Sequence, residues 1–115
     1  MDSVEAVVVA AIVLSLLYLV FRCYSTVIYR FYRPTCPACV NSQGEWNKFK
    51  SNCMLKLIRP VDINIEDGSE HSLKLAHKFK VETVPTVIKL DNEGGHSVYD
   101  GPRTADAYMV WAKTN

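Results

Sequence analysis

The residue order predicts an α/β fold: four strands flanked by helices, carried behind one membrane-spanning helix. Three observations carry that prediction. They are an apolar run from Val4 to Phe21, an alternation of β-favouring and helix-favouring segments after it, and a pair of cysteines, Cys36 and Cys39, where the first strand gives way to a helix. At 115 residues the chain has room for one modest core and one appendage. We expect residues 1–23 to form the anchor and residues 24–115 the domain.

The Val4 to Phe21 run holds 18 residues and a single charge, Glu5. At about 1.5 Å per residue it spans about 27 Å, close to the hydrocarbon thickness of a bilayer, and Tyr18 and Arg22 suit an interfacial end. A cleaved signal peptide needs positive charge ahead of the apolar stretch and small residues after it. Here Asp2 precedes the run and Arg22-Cys23-Tyr24 follows it. A transmembrane helix is therefore favoured over a signal peptide or a buried soluble helix, and residues 4–21 are expected to contact lipid. Asp2 and Glu5 lie on one flank and Arg22, Arg30 and Arg33 on the other. The positive-inside rule then places the domain on the cytoplasmic side, mainly on the strength of Arg22. Cys23, at this boundary, is a candidate for acylation, with an unmodified thiol as the default.

Val27 to Tyr32 reads as the first strand, closed by Arg33-Pro34-Thr35. A helix opens near Pro37, where the missing N–H is harmless, and runs through Trp46 and Phe49 toward Asn52, with Gly44 expected to interrupt it. Leu55 to Ile65 reads as a second strand. Pro60 would break a central ladder, so this strand must be an edge. Ser69 caps a second helix carrying Leu73, Leu75, Ala76 and Phe79. Val84 to Leu90 is a third strand with Pro85 among its first residues. Asp91 to Gly95 is hairpin chemistry, and His96 to Tyr99 is the returning strand. Thr104 caps a final helix with Ala107, Tyr108, Val110 and Trp111. Cys53 is expected to pack as a small apolar residue.

Two cysteines at i and i+3 on a first helical turn can close a small disulfide. The first meets unpaired backbone N–H groups and the positive end of the helix dipole, which stabilise a thiolate. Thiolates attack disulfides, so the pair points to thiol–disulfide exchange. Four cysteines in all are too few and too uneven for a disulfide scaffold. The formal charge of +1, with no basic stripe, gives no sign of nucleic-acid binding.

Phe31-Tyr32-Arg33-Pro34-Thr35-Cys36-Pro37-Ala38-Cys39 resembles the Phe-Tyr-Ala-Pro-Trp-Cys-x-x-Cys segment of the thioredoxin superfamily, above all of protein disulfide isomerase catalytic domains. Glu45-Trp46, Val61-Asp62, Leu75 to Val81, Val84-Pro85-Thr86 and Tyr99 to Thr104 follow at matching intervals, so the resemblance covers Val27 to Lys113. It implies a shortened thioredoxin-like fold with a four-stranded mixed sheet. It also implies roles: Cys36 attacks, Cys39 resolves, Pro85 follows a cis peptide bond after Val84, and Arg103 helps the resolving thiol ionise. Thr83, Val84, Pro37 and Ala38 would form the substrate surface. The implied partners are cysteine-containing protein substrates and a redox partner protein. The only implied cofactor is the redox-active Cys36–Cys39 disulfide.

The departures from that pattern are specific. Arg30 stands where the family keeps a buried acid that takes protons from the resolving thiol, and Pro60 stands where a lysine accompanies that acid. Thr35 replaces a tryptophan and Gly44 a helix-kinking proline. Arginine favours thiolates electrostatically but stays charged and accepts no proton. A redox-inactive, membrane-anchored peptide-binding or scaffold module is therefore the alternative function. Half of a zinc site with His71 and His77, or an inert disulfide, are alternative readings of the dithiol. Isomerase-like blocks suggest an oxidising compartment whereas Arg22 suggests cytoplasm.

Overall fold

The computed structural model describes residues 2–54, 56–91 and 93–114, and the side chains of residues 21–24, Arg22 and Cys23 included, lie outside that description. The elements follow in the order α1 (Ser3–Tyr24), β1 (Thr26–Tyr32), α2 (Pro37–Asn52), β2 (Ile58–Asn64), α3 (Glu70–Lys78), β3 (Thr86–Leu90), β4 (His96–Val98) and α4 (Ala105–Lys113). Helix α1 contains a stretch, Ser3–Val20, long and apolar enough to cross a membrane, and none of that stretch is buried against the domain.

The four strands form one sheet in the order β2-β1-β3-β4. β2 runs parallel to β1, with Ile28 opposite Pro60 and Arg30 opposite Asp62. β3 runs antiparallel to β1, and β4 antiparallel to β3. The sheet is thus mixed, and β2 is an edge, as Pro60 requires.

Period-two alternation sorts the strand residues onto two faces. On one, Ile28, Ile58 and Val87 pack with Trp46, Phe49 and Cys53 from α2 and its C-cap, and with Ala105, Tyr108, Met109 and Ala112 of α4. Trp46 and Tyr108 meet edge to face at 5.5 Å between centroids, a favoured aromatic arrangement. On the other face Phe31, Ile63 and Ile88 pack against Phe79, which caps the nine-residue α3. Ser69 and Thr104 cap α3 and α4 through their side-chain oxygens, as their sequence positions predict.

Several boundaries and faces differ from the sequence reading. Helix α2 passes through Gly44 unbroken; the position is exposed and open, so glycine costs the helix only about 1 kcal/mol there. β2 starts at Ile58, because the chain still turns at Leu57, which holds a left-handed φ of 52° that no ladder accommodates. Leu55, the expected first residue of that strand, lies outside the described residues. Val84 and Pro85 belong to the loop ahead of β3. β4 stops at Val98, although Tyr99 still donates its N–H to the Val87 carbonyl at 2.8 Å. Leu73 of α3 is 54% exposed and Val110 of α4 is 67% exposed, so neither is core. Each helix buries a narrower stripe than its apolar residues suggest, and Met109 holds the core position on α4.

Truncating Phe49, which is fully buried between Trp46 and Tyr108, should cost about 3–5 kcal/mol. Val110→Ala should stay within about 0.5 kcal/mol of the parent. Denaturant unfolding of the two full-length variants checks this contrast, and equal losses would contradict the core assigned above.

Candidate active site

The C-terminal end of β1 delivers the chain into a turn at residues 33–35, and that turn sets the cysteines. The Cys36 N–H returns to the Arg33 carbonyl at 3.1 Å. Thr35 donates its hydroxyl to Glu66 Oε1 at 2.5 Å, tying the turn to the loop after β2. Cys36 then takes extended dihedrals as the N-cap of α2, with Pro37 in the first turn. Its sulfur accepts the backbone N–H of Cys39 at 3.4 Å, the capping bond that Ser or Asp usually supplies. Both cysteines are thiols in this structure; Cys36 is half-buried and Cys39 buried.

The two thiols are pushed in opposite directions. The Cys39 backbone N–H, then the Cys39 thiol, hold Cys36 below the ordinary thiol value, with a smaller contribution from Arg103. Burial pushes Cys39 up, and the Arg30 charge only partly offsets it. A half-exposed sulfur that ionises readily thus stands one turn ahead of a buried one that resists ionisation.

The loop between α3 and β3 faces this pair. The Val84–Pro85 peptide bond is cis, as the resemblance implies. The Cys36 thiol donates to the Val84 carbonyl at 3.7 Å, so Val84 meets the dithiol directly. Thr83 is exposed, and its carbonyl accepts the Thr86 hydroxyl at 2.5 Å. Arg103 is exposed and borders two shallow depressions, one with Ala38, Asn41 and Ser42 of α2 and one with Pro85 of that loop. The Tyr99 hydroxyl donates to the Pro102 carbonyl and shapes the turn that presents Arg103. The structure therefore gathers Cys36, Cys39, Val84 and Pro85 at one end of the sheet, with Pro37, Ala38, Thr83 and Arg103 around them. His71 and His77 lie exposed on α3; among the described residues no group of three or more His, Cys, Asp or Glu side chains comes together to hold a metal.

Arg30 is fully buried directly beneath the dithiol. Its guanidinium donates to the Cys39 carbonyl at 2.9 Å, to Ser42 Oγ at 3.2 Å and to Gln43 Oε1 at 2.9 Å. It also lies over the rings of Tyr32 and Trp46, at 5.2 and 5.7 Å from their centroids. Asp62, opposite Arg30 on β2, is instead engaged by Trp46 Nε1 at 2.5 Å and Lys50 Nζ at 2.8 Å. Sequence reasoning located Arg30 but missed Ser42 and Gln43 as its partners. Their spacing of three and four residues from Cys39, on one helix face, was the available signal.

The thioredoxin family profile matches residues 20–114 of the chain. The chain belongs to the thioredoxin family. It is 34% identical over 81 residues to the human protein named thioredoxin-related transmembrane protein 1, a match covering 69% of this chain and 26% of that one. It is 29% identical over 89 residues to protein disulfide isomerase-like 1-1 of Arabidopsis thaliana, covering 76% of this chain and 18% of the relative. This thioredoxin-family chain therefore spans about a quarter or less of the length of these curated relatives. Among solved structures, the first thioredoxin domain of mouse protein disulfide-isomerase A4 superposes with a TM-score of 0.64 at 28% identity, over 77% of this chain and 61% of that one.

The opposed shifts predict a measurable asymmetry. In the Cys39→Ser protein, alkylation of Cys36, followed peptide by peptide by mass spectrometry, should show a midpoint below the ordinary thiol value of 9.0. In the Cys36→Ser protein, Cys39 should show a midpoint above 9.0, and adding Arg30→Met should raise it further. An unchanged Cys39 midpoint would mean that the guanidinium charge is not felt at the sulfur.

Proposed function

We propose that this chain is a membrane-anchored thiol–disulfide oxidoreductase that exchanges disulfides with protein substrates, in the manner of the isomerase-like members of its family. The observation that carries this reading is the Cys36 sulfur, held by the Cys39 N–H at the start of α2 and facing the Val84 carbonyl. The Cys36 thiolate attacks one sulfur of a substrate disulfide, breaking that bond and releasing a substrate thiolate, which takes a proton. Cys39, once deprotonated, attacks the Cys36 sulfur. This expels the second substrate thiolate and leaves the Cys36–Cys39 disulfide; the reverse sequence oxidises a substrate dithiol. Arg30 has no lone pair for the Cys39 proton, so that proton goes to the departing thiolate or to water. The guanidinium instead lowers the energy of the Cys39 thiolate electrostatically.

Thr83, Val84, Pro37 and Ala38 border the sulfur and would meet the substrate backbone, while Arg103 adds positive charge beside them, between Ala38 and Pro85. The length and composition of α1 support anchoring, as does similarity to a relative named as a transmembrane protein. Arg22, with no Lys or Arg ahead of the helix, supports placing the domain on the cytoplasmic side. One observation favours a second reading, a peptide-binding module whose dithiol idles: the site of the family's proton acceptor is filled by the fully buried Arg30.

The full-length Cys39→Ser protein should accumulate mixed disulfides with substrate proteins, and Cys36→Ser in the same chain should abolish them. Insulin disulfide reduction by the parent should exceed that of Cys36→Ser by about a hundredfold or more. No trapped species and no turnover, with peptide binding retained, would sink the exchange reading and establish the binding module.

A further inference from the structure

The end of the sheet that α1 enters is built unlike the end that carries the dithiol. Only Ser25 separates α1 from β1, so Thr26 is held within about 7–8 Å of the last helical residue by two Cα steps. Thr26 donates its backbone N–H to the Leu57 carbonyl at 2.8 Å and stands opposite Ile58 at the head of β2. The turn between α2 and β2 therefore lies one strand spacing, about 5 Å, from the place where the chain leaves the apolar helix. The described residues of that turn are Met54, Lys56 and Leu57.

This is an unusual composition for a turn in water. Met54 is 74% exposed and Leu57 47% exposed, with the exposed Lys56 beside them. Leu57 adopts a left-handed φ of 52°, a position where Gly or Asn is usual and a leucine is disfavoured. The opposite edge at the same end is different: the β3–β4 hairpin presents the exposed carboxylates of Asp91 and Glu93. The end of the domain nearest α1 is thus divided into an apolar, basic side at β2 and an acidic side at β4.

We propose that the Met54 to Leu57 turn is a second, shallow membrane contact. The Met54 and Leu57 side chains enter the headgroup and upper acyl region of the bilayer that α1 spans, with Lys56 at the level of the lipid phosphates. This rests on the reading of α1 as a membrane anchor. The occupant is lipid because of distance along the chain. The apolar window ends at Val20, and the four further helical residues to Tyr24 rise about 6 Å, the thickness of one headgroup layer. Thr26 and its hydrogen-bonded neighbour Leu57 therefore lie between the outer margin of the headgroups and about 14 Å from the acyl boundary, within reach of the headgroup layer once the domain tilts toward the bilayer. A contact too weak to recruit a free protein suffices here, because the covalent link to α1 supplies the local concentration. With two attachments the domain is held at a fixed tilt. Six steps of β1, about 20 Å along the sheet, separate this end from the end that carries the dithiol.

The test uses the full-length chain in phosphatidylcholine vesicles, with and without lipids brominated in the upper acyl chain. Met54→Trp and, separately, Leu57→Trp report on the turn, Val40→Trp reports on the exposed surface of α2 beside the dithiol, and the parent signal from Trp46 and Trp111 is subtracted. Flotation with the vesicles and about twofold quenching at residues 54 and 57, with none at 40, is the expected result for a turn in the headgroup–acyl boundary. Flotation without quenching at either turn position overturns the contact and leaves the anchor standing. A blue-shifted but unquenched turn tryptophan assigns the patch to a protein neighbour and also overturns the proposal. Failure to float overturns the anchor reading and this inference with it.

Discussion

Burying the Arg30 guanidinium is the constraint around which the rest of this domain is arranged. A buried cation without a bonded carboxylate is costly, by several kcal/mol for an ion stripped of water, unless its donors are satisfied by other means. The chain meets that demand from two elements, α2 and β1. α2 supplies a backbone carbonyl, a hydroxyl and a side-chain amide; β1 and α2 supply the faces of Tyr32 and Trp46. The Asp62 carboxylate of β2, in register with Arg30, is spent on Trp46 and Lys50 instead. The Nε atom alone finds no acceptor among the described residues. Because one of these acceptors is the carbonyl of Cys39, the satisfaction of the charge and the placement of the resolving sulfur are one geometric fact.

The electrostatics of the dithiol follow from that placement. N–H donors at the mouth of α2 favour a thiolate on Cys36, whereas burial disfavours one on Cys39. Each unit by which a thiol's titration falls below the ambient pH stabilises the dithiol form by about 1.4 kcal/mol, equivalent to about 30 mV for a two-electron couple. Lowering the Cys36 value favours its thiolate and so acts toward the dithiol form. A proton-accepting acid at residue 30 would speed the second step by taking the Cys39 proton; a guanidinium acts only on the energy of the thiolate. The chain has exchanged proton transfer for a fixed charge.

The parts of this architecture legible in the sequence are those set by local chemistry. Cys36 at a helix start, the Ser69 and Thr104 caps, Pro60 on an edge strand and the order of elements each depend on backbone geometry that a few residues dictate. What escaped depends on how elements meet. Leu73 and Val110 stand among the apolar residues of α3 and α4, but each is exposed, outside the stripe that its helix buries. Gly44 reads as a breaker, yet the neighbouring contacts of Trp46 and Phe49 hold α2 straight through it. Arg30 was legible as a departure from family pattern, but its bonds to α2 exist only once α2 lies across β1.

The sheet is also unequally covered, and the inequality separates the two halves of the site. On the face holding α2 and α4, ten described residues are buried in one cluster; on the face holding α3 there are four, ringed by half-buried Tyr29, Val61, Ile65 and Leu90. Cys36 caps α2 and Cys39 lies in its first turn, so both are carried by the helix that packs on the thicker side. Val84 and Val81, which carry the loop facing them, pack only at the margin of the thinner cluster. Segments with fewer buried apolar contacts open at lower free energy than the core. The reacting sulfurs are thus fixed to the more stable half, and the loop that opposes them to the less stable one. On the proposed exchange reading, a substrate disulfide entering between them would displace the loop at lower cost than the dithiol, so the sulfur geometry would be preserved while the mouth of the site adjusts.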